Sequence, residues 1–155
     1  MLVKLFRLNK NCFLSGTKRE LRMRQLIYIS EANHPMSSES LLTILKSSRV
    51  FNKSVGITGI LLYRNNTFIQ LLEGDKENID KLYEKIQKDD RHKNCFVILE
   101  QDTEERSFPN WSMGFEDLSN DEAYKELGFN DFFNSNQSHK ESEVLELISN
   151  FKEYT

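Results

Sequence analysis

The chain has 155 residues, 29% of them Asp, Glu, Lys or Arg, and a formal net charge of −3, which is length enough for one domain with a full core. No run of 18 uncharged apolar residues occurs, so no transmembrane helix is expected. Cys12, Cys95, His34, His92 and His139 show no metal or redox spacing, so no metal is expected and a reduced, cytoplasmic protein is.

Charge is unevenly spread, +5 over residues 1–22 and −7 over 116–155, and it forms no broad basic face for a nucleic acid. Lys4 and Arg7 interrupt the apolar residues of the first segment, whereas a secretory signal needs about 7–15 continuous ones. Residues 1–22 are expected to be a disordered extension, with a short amphipathic helix or an upstream start as the other readings. From Arg24 to Ser30, alternation puts Leu26, Tyr28 and Ser30 on one face of a strand and Ile27 and Ile29 on the other, both faces apolar enough for burial. Asn33-His34-Pro35 breaks the strand. Ser37 or Ser38 then caps a helix to about Val50, with Leu41, Leu42, Ile44, Leu45 and Ser48 along its inner stripe. Ile57–Tyr63 and Thr67–Leu72 read as strands, and the Asn65-Asn66 tip between them, tolerant of positive φ, signals a hairpin.

Gly74 ends that strand, and Asp75 caps a second helix to about Asp89, in which Ile79, Leu82, Tyr83 and Ile86 recur at i, i+3, i+4 and i+7. Asn94–Glu100 is a fourth strand and Trp111–Phe115 a fifth, with Trp111 and Met113 on one face. The order βαββαββ predicts an α+β fold of the split βαβ type, a mixed sheet with two helices on one face. The other face carries Ile27, Ile29, Ile60, Leu62, Ile69, Leu71, Phe96 and Ile98, an apolar patch too large to leave in water. Phe129, Phe132 and Phe133, then Val144, Leu145, Leu147, Ile148 and Phe151 in a last helix, offer a cover. A subunit contact could share the task. The expected division is an extension over 1–22, one domain over 23–117 and a C-terminal helical cap over 118–155.

Two polar residues stand at inward positions of apolar strands, Tyr28 and Gln70. A buried phenol or amide without a partner costs roughly 1–3 kcal/mol, and apolar strands supply none. The partners left are each other and a bound molecule. A phenol is neutral at pH 7.

With this pair stand Leu26-Ile27-Tyr28-Ile29-Ser30, Asn52 ahead of Gly56-Ile57-Thr58-Gly59, Phe68-Ile69-Gln70-Leu71-Leu72-Glu73-Gly74, Asp89-Asp90-Arg91-His92 and Trp111-Ser112-Met113. These five pieces, in this order and at this spacing, resemble a BLUF domain, the flavin-binding blue-light sensor, from about Met23 to Asp117. The resemblance implies a ferredoxin-like fold that holds FAD non-covalently, with the flavin ring between the two helices. It implies that light drives an electron and then a proton from Tyr28 to the flavin, and that the Gln70 amide rotates or tautomerises, donates a new hydrogen bond to a flavin carbonyl and shifts the absorption to the red. Asn52, in itself a candidate αL helix stop, is by resemblance the amide that holds the uracil-like edge. Ile44 and Ile86, in themselves core residues, are also the two aliphatic clamps of the ring. Arg91 and His92 are assigned to the ribityl and phosphate part. One of Trp111 and Met113 is assigned a place near Gln70, exchangeable by a slide of the strand. Phe51 departs from the pattern, which often has a polar residue there, and the absence of Gly-x-Gly-x-x-Gly sets this FAD site apart from a Rossmann one.

The chain is therefore expected to be a short stand-alone photoreceptor and not an enzyme. Its output is expected to pass to a downstream protein of the response-regulator or transcription-factor class, with homo-oligomers forming through the outer face. The alternatives are a cofactor-free ferredoxin-like interaction module and a small flavin-dependent reductase.

Overall fold

The computed structural model describes residues 23–117, together with 144, 146, 148 and 150, which are helical. The elements are β1 (Met23–Ala32), α1 (Ser38–Val55), β2 (Thr58–Arg64), β3 (Thr67–Asp75), α2 (Lys76–Gln87), β4 (His92–Thr103) and β5 (Gly114–Asp117). Ser37 caps α1 by accepting from Ser40 N–H, and the Asp75 carboxylate caps α2 by accepting from Glu77 and Asn78 N–H, as expected for oxygen side chains at the N-cap. The strand order is β4-β1-β3-β2-β5. Every neighbouring pair is antiparallel except β2 with β5, which is parallel. This is the expected α+β, ferredoxin-like mixed sheet. Asn65 and Asn66 both take positive φ at the β2–β3 tip.

The two predicted faces of β1 are observed. Leu26 and Tyr28 join Leu41, Leu45, Leu61, Leu72 and Ile79 under the helices, and Ile27 joins Ile60, Leu62, Ile69, Leu71 and Phe108 on the other side. Val144 and Ile148, one helical turn apart, are buried in that outer cluster. The predicted cover is thus present at these two positions. Leu145, Leu147, Phe151 and Phe129, Phe132 and Phe133 lie outside the described residues, as does the 1–22 extension.

Four expectations are corrected. Helix α1 runs five residues past Val50 to Val55, so Asn52 lies within its last turns and is not its stop; the αL position is Gly56, at φ 68°. Strand β3 continues through Gly74 to Asp75. Strand β4 has a register shift in which Ile27 faces Leu99 while Tyr28 faces Val97. This extra residue turns Val97 toward the helices and Leu99 toward the outer cluster, and leaves Ile98 42% and Phe96 68% exposed. Strand β5 starts only at Gly114. Trp111 and Met113 therefore precede it and face opposite sides of the sheet, Met113 packing in the inner cluster and Trp111 against the outer one.

The sequence reading missed a buried polar cluster on the outer face. Glu73 is 0% exposed and accepts from Ser107 N at 2.7 Å, Phe108 N at 2.9 Å and Gln25 Nε2 at 2.8 Å. Arg106 donates to Thr58 Oγ1 at 2.8 Å, the Glu73 carbonyl at 2.9 Å and the Gly56 carbonyl at 2.7 Å. Together they moor the β4–β5 connection to β3. At Gly59 a Cβ would meet the Leu71 carbonyl oxygen at 1.9 Å, so only glycine lets β2 approach β3 there. Replacing Glu73→Ala strands one buried and one part-buried N–H group and is expected to lower the unfolding free energy by about 2–5 kcal/mol. Glu73→Gln, which keeps one acceptor oxygen, is expected to lose less; urea unfolding of both variants checks the order.

Candidate functional site

Strands β1 and β3 set Tyr28 directly opposite Gln70 and Ser30 opposite Phe68, all on the face under the helices. The Tyr28 hydroxyl donates to Gln70 Oε1 at 2.5 Å. Gln70 Nε2 in turn donates to the Met113 thioether at 3.4 Å. The Tyr28 ring also packs on Tyr83 of α2, with ring centroids 5.2 Å apart. The pair is thus self-satisfied along the sheet, and the second Nε2 hydrogen of Gln70 is not used by either partner.

These groups form the floor of a cavity of about 270 Å³ between α1 and α2. Ile44 and Ser48 of α1 stand on one wall, and Leu82 and Ile86 of α2 on the other. Ile44, Leu82 and Ile86 are only half-buried, although they lie on the inner stripes of their helices. Each packs against the core on one side and opens into the cavity on the other. Asn52 is buried and donates from Nδ2 to the Ser112 carbonyl at 2.8 Å, which leaves its Oδ1 and second amide hydrogen for the cavity. Arg91 and His92 stand at the far end. Arg91 grips Asp89 through Nε at 2.8 and 3.1 Å and through Nη2. That hydrogen bond holds the Asp89 carboxyl below, and the Arg91 guanidinium above, their ordinary values. His92 lies edge-on to Phe68 and meets the Cys95 thiol through Nδ1 at 3.4 Å.

All seven residues expected at a cofactor site, Tyr28, Ile44, Asn52, Gln70, Ile86, Arg91 and His92, line this one cavity. Of the two candidates for the place beside Gln70, the structure puts Met113 there. Trp111 stacks 5.5 Å from Phe108 on the opposite face of the sheet. Ser30, Phe51, Lys85 and Asp89 also line the cavity and were not expected. Ser30 follows Tyr28 by two on the same strand face, a signal that was available. Lys85 sits over the Phe51 ring, 4.7 Å from its centroid, a cation–π contact at the position where Phe51 departs from the often polar residue of the resembling pattern.

The donor set fits a flavin. The ring needs two aliphatic faces and polar groups along one edge, and the cavity offers Ile44 and Ile86 with Asn52 and Gln70. The Ser30 hydroxyl is buried without a hydrogen-bond partner among the described residues, the kind of orphan that a polar ligand relieves.

The family model described as sensors of blue-light using FAD (BLUF) matches residues 23–114, more than half of the chain. The protein belongs to the BLUF family and is a flavin-based blue-light sensor. Photoactivated adenylate cyclase subunit alpha of Euglena gracilis is 33% identical over 100 residues, covering 63% of this chain and 10% of that protein. The chain thus matches about a tenth of the length of its curated relatives. A bacterial light-regulated adenylyl cyclase structure is 41% identical with a TM-score of 0.62, over 68% of this chain and 31% of the other. Klebsiella pneumoniae BlrP1, solved with FMN and cyclic diGMP, is 29% identical with a TM-score of 0.65, over 84% and 34%. No helix among the described residues is long and apolar enough to cross a membrane.

Burial, foremost, with smaller contributions from Cys95, Tyr83 and Asp89, raises the Tyr28 phenol well above its ordinary value. A raised value means the folded state keeps its proton where the unfolded chain loses it, so this contribution to stability is complete below pH ~10 and declines above it. The difference in phenolate absorbance between the native chain and Tyr28→Phe is expected to stay flat through pH 10 and to rise only beyond it.

Proposed function

We propose that this chain senses blue light with FAD held non-covalently between α1 and α2, and that Tyr28 and Gln70 are its photoactive pair. The bond from Tyr28 to Gln70 Oε1 at the cavity floor carries the proposal. The flavin, when bound, supplies blue-light absorption and acceptance of one electron and one proton. Tyr28, neutral and desolvated, gives up an electron most readily if its hydroxyl proton leaves with it. Among the described residues Gln70 Oε1 is the one acceptor of that hydroxyl, so the proton passes through the amide. Once Gln70 has rotated or tautomerised, its donors and acceptor point to new partners, and that changed pattern is the stored signal. Ile44 and Ile86 orient the ring, Asn52 reads its polar edge, and Arg91 and His92 meet the ribityl and phosphate end. Met113, touching Gln70, feels the change first. Trp111, expected to be exchangeable with Met113, joins in only if the 111–113 segment slides.

Residues 23–117 form the sensing unit in this reading, with an N-terminal extension before it and the 118–155 cap on the outer face of the sheet. The unit works by regulation and not by catalysis of its own. It acts in the cytoplasm on a downstream protein, of response-regulator or transcription-factor class, or on an effector such as the cyclases of its relatives, and it forms homo-oligomers.

The purified chain is expected to be yellow and to show a reversible red shift of its flavin bands under blue light. Gln70→Leu and Tyr28→Phe are each expected to abolish the shift while FAD stays bound; a normal shift in either variant defeats the mechanism. Asn52→Ala is expected to weaken FAD binding about tenfold, the effect of losing one or two hydrogen bonds in a buried site, as measured by equilibrium titration. The FMN of the BlrP1 structure makes the mononucleotide the competing cofactor. Mass analysis of the flavin released on denaturation decides between them.

A further inference from the structure

Tyr28 meets two different neighbours with the two parts of its side chain. Its hydroxyl donates to Gln70 Oε1, and its ring packs on the Tyr83 ring with centroids 5.2 Å apart and planes inclined by 53°. Rings at that separation are in van der Waals contact, close enough to exchange an electron directly. Tyr28 is 4% exposed, whereas Tyr83, on the inner stripe of α2, is only half-buried. Tyr83 is not among the cavity residues, so it meets the photochemistry through Tyr28 and not through the cofactor. Two phenols in contact are about equally easy to oxidise. What separates these two is where a proton can go: the Tyr28 hydroxyl faces Gln70 inside the sheet, and Tyr83 lies within reach of water.

We propose that Tyr83 is a second electron donor, a side exit through which the charge left on Tyr28 reaches the protein surface. This rests on the reading of Tyr28 and Gln70 given above. Once light has moved an electron from Tyr28 to the flavin, two outcomes compete. In the first, the Tyr28 proton moves to Gln70, and the later return of electron and proton closes the cycle. In the second, an electron crosses the ring contact from Tyr83 to Tyr28 before that proton has moved. Tyr28 is then whole again, with its hydroxyl still on Gln70. Tyr83 has lost the electron, and its hydroxyl proton passes to water, because an oxidised phenol is a strong acid. A neutral radical stays on Tyr83, and the flavin keeps the electron it took. A hydrogen-atom donor from solution, of the ascorbate or thiol class, gives Tyr83 one electron and one proton. The donor is thereby oxidised by one electron and the flavin reduced by one. Burial, foremost, and the nearby Cys95 raise the Tyr83 phenol above its ordinary value, against a hydrogen bond with Gln87, so its proton stays in place at neutral pH until oxidation releases it. A flavin that has kept its electron is out of the cycle until it is reoxidised. The ring contact therefore ties the pool of responsive receptor to the supply of reductant.

The test uses the full chain loaded with FAD, under blue light and without oxygen, with a nitrosoalkane spin trap that bonds to the ring carbons of tyrosyl radicals. Peptide mass mapping is expected to find the trap on Tyr83 after illumination and not in the dark, with the flavin left reduced. Tyr83→Phe keeps the ring and its packing but removes the oxidisable phenol. In that variant the flavin is expected to recover fully with the trap present, and the red shift to remain. Tyr83→Trp, which is again oxidisable, is expected to restore the trapped reduction, a rescue that a merely structural role would not give. In Tyr28→Phe the yield on Tyr83 is expected to fall, since the contact then carries no charge. An unchanged yield there overturns the route through Tyr28. Should the position 83 variants fail to fold, mapping on the native chain decides alone. A native chain that red-shifts with no light-dependent label on Tyr83, or with the label only on Tyr28 or on Cys95, which is electrostatically coupled to both rings, overturns the role of Tyr83 and leaves the photochemical reading standing. A native chain that binds flavin without any red shift overturns the photochemical reading itself.

Discussion

The contact between the Tyr28 hydroxyl and the Gln70 amide constrains much of the surrounding architecture. A phenol and a carboxamide survive in an apolar sheet only if every polar atom is placed, and this requirement reaches outward. The antiparallel register of β1 and β3 puts the two residues face to face. A third partner for the amide has to come from outside those strands, and the Met113 thioether supplies it. Met113 stays there because α1 holds the backbone on either side of it. Loosening any of these elements leaves a buried donor or acceptor without its mate.

The helices answer the same constraint from above. If α1 and α2 closed on the sheet as tightly as their apolar stripes allow, no room would remain beside Gln70. They stand apart instead, and the isoleucines and leucine along the gap are half-buried where an ordinary core would bury them fully. That surplus of unburied apolar surface is a standing cost to the empty fold, and a planar aromatic guest offsets it. The charged groups at the far end are partly balanced already, Arg91 by Asp89 and Lys85 by the face of Phe51. The far end of the cavity thus carries no large unpaired field from these two cations.

How much of this the amino acids disclosed differs with the kind of interaction. The element order, both helix caps, the Asn65-Asn66 tip and the two faces of β1 follow from local rules of periodicity and hydrogen-bonding capacity, and they were legible. So were the seven residues around the cavity: ordered motifs marked Tyr28, Asn52, Gln70, Arg91 and His92, and the family resemblance added Ile44 and Ile86. The failures lie where a distant group overrode the local pattern. Asn52 reads as a helix stop until the Ser112 carbonyl satisfies its amide. Trp111 and Met113 read as one strand face until side chains of α1 fix the backbone between them. The shift in β4 is invisible in alternation because Val97, Ile98 and Leu99 are all apolar. Glu73 drew no reading of its own beyond its place in a motif, because its partners in the 107–108 backbone, which explain its burial, are distant in sequence.

The Glu73 carboxylate takes two of its bonds from main-chain amides and not from side chains. Any residue other than proline offers the same amide. The loop it anchors can therefore change its exposed lettering, at Pro109 or Asn110 for instance, and keep its path. A surface that is geometrically fixed but chemically rewritable is well suited to descent with altered partners, since new recognition can be written there without disturbing the light-sensing side of the sheet.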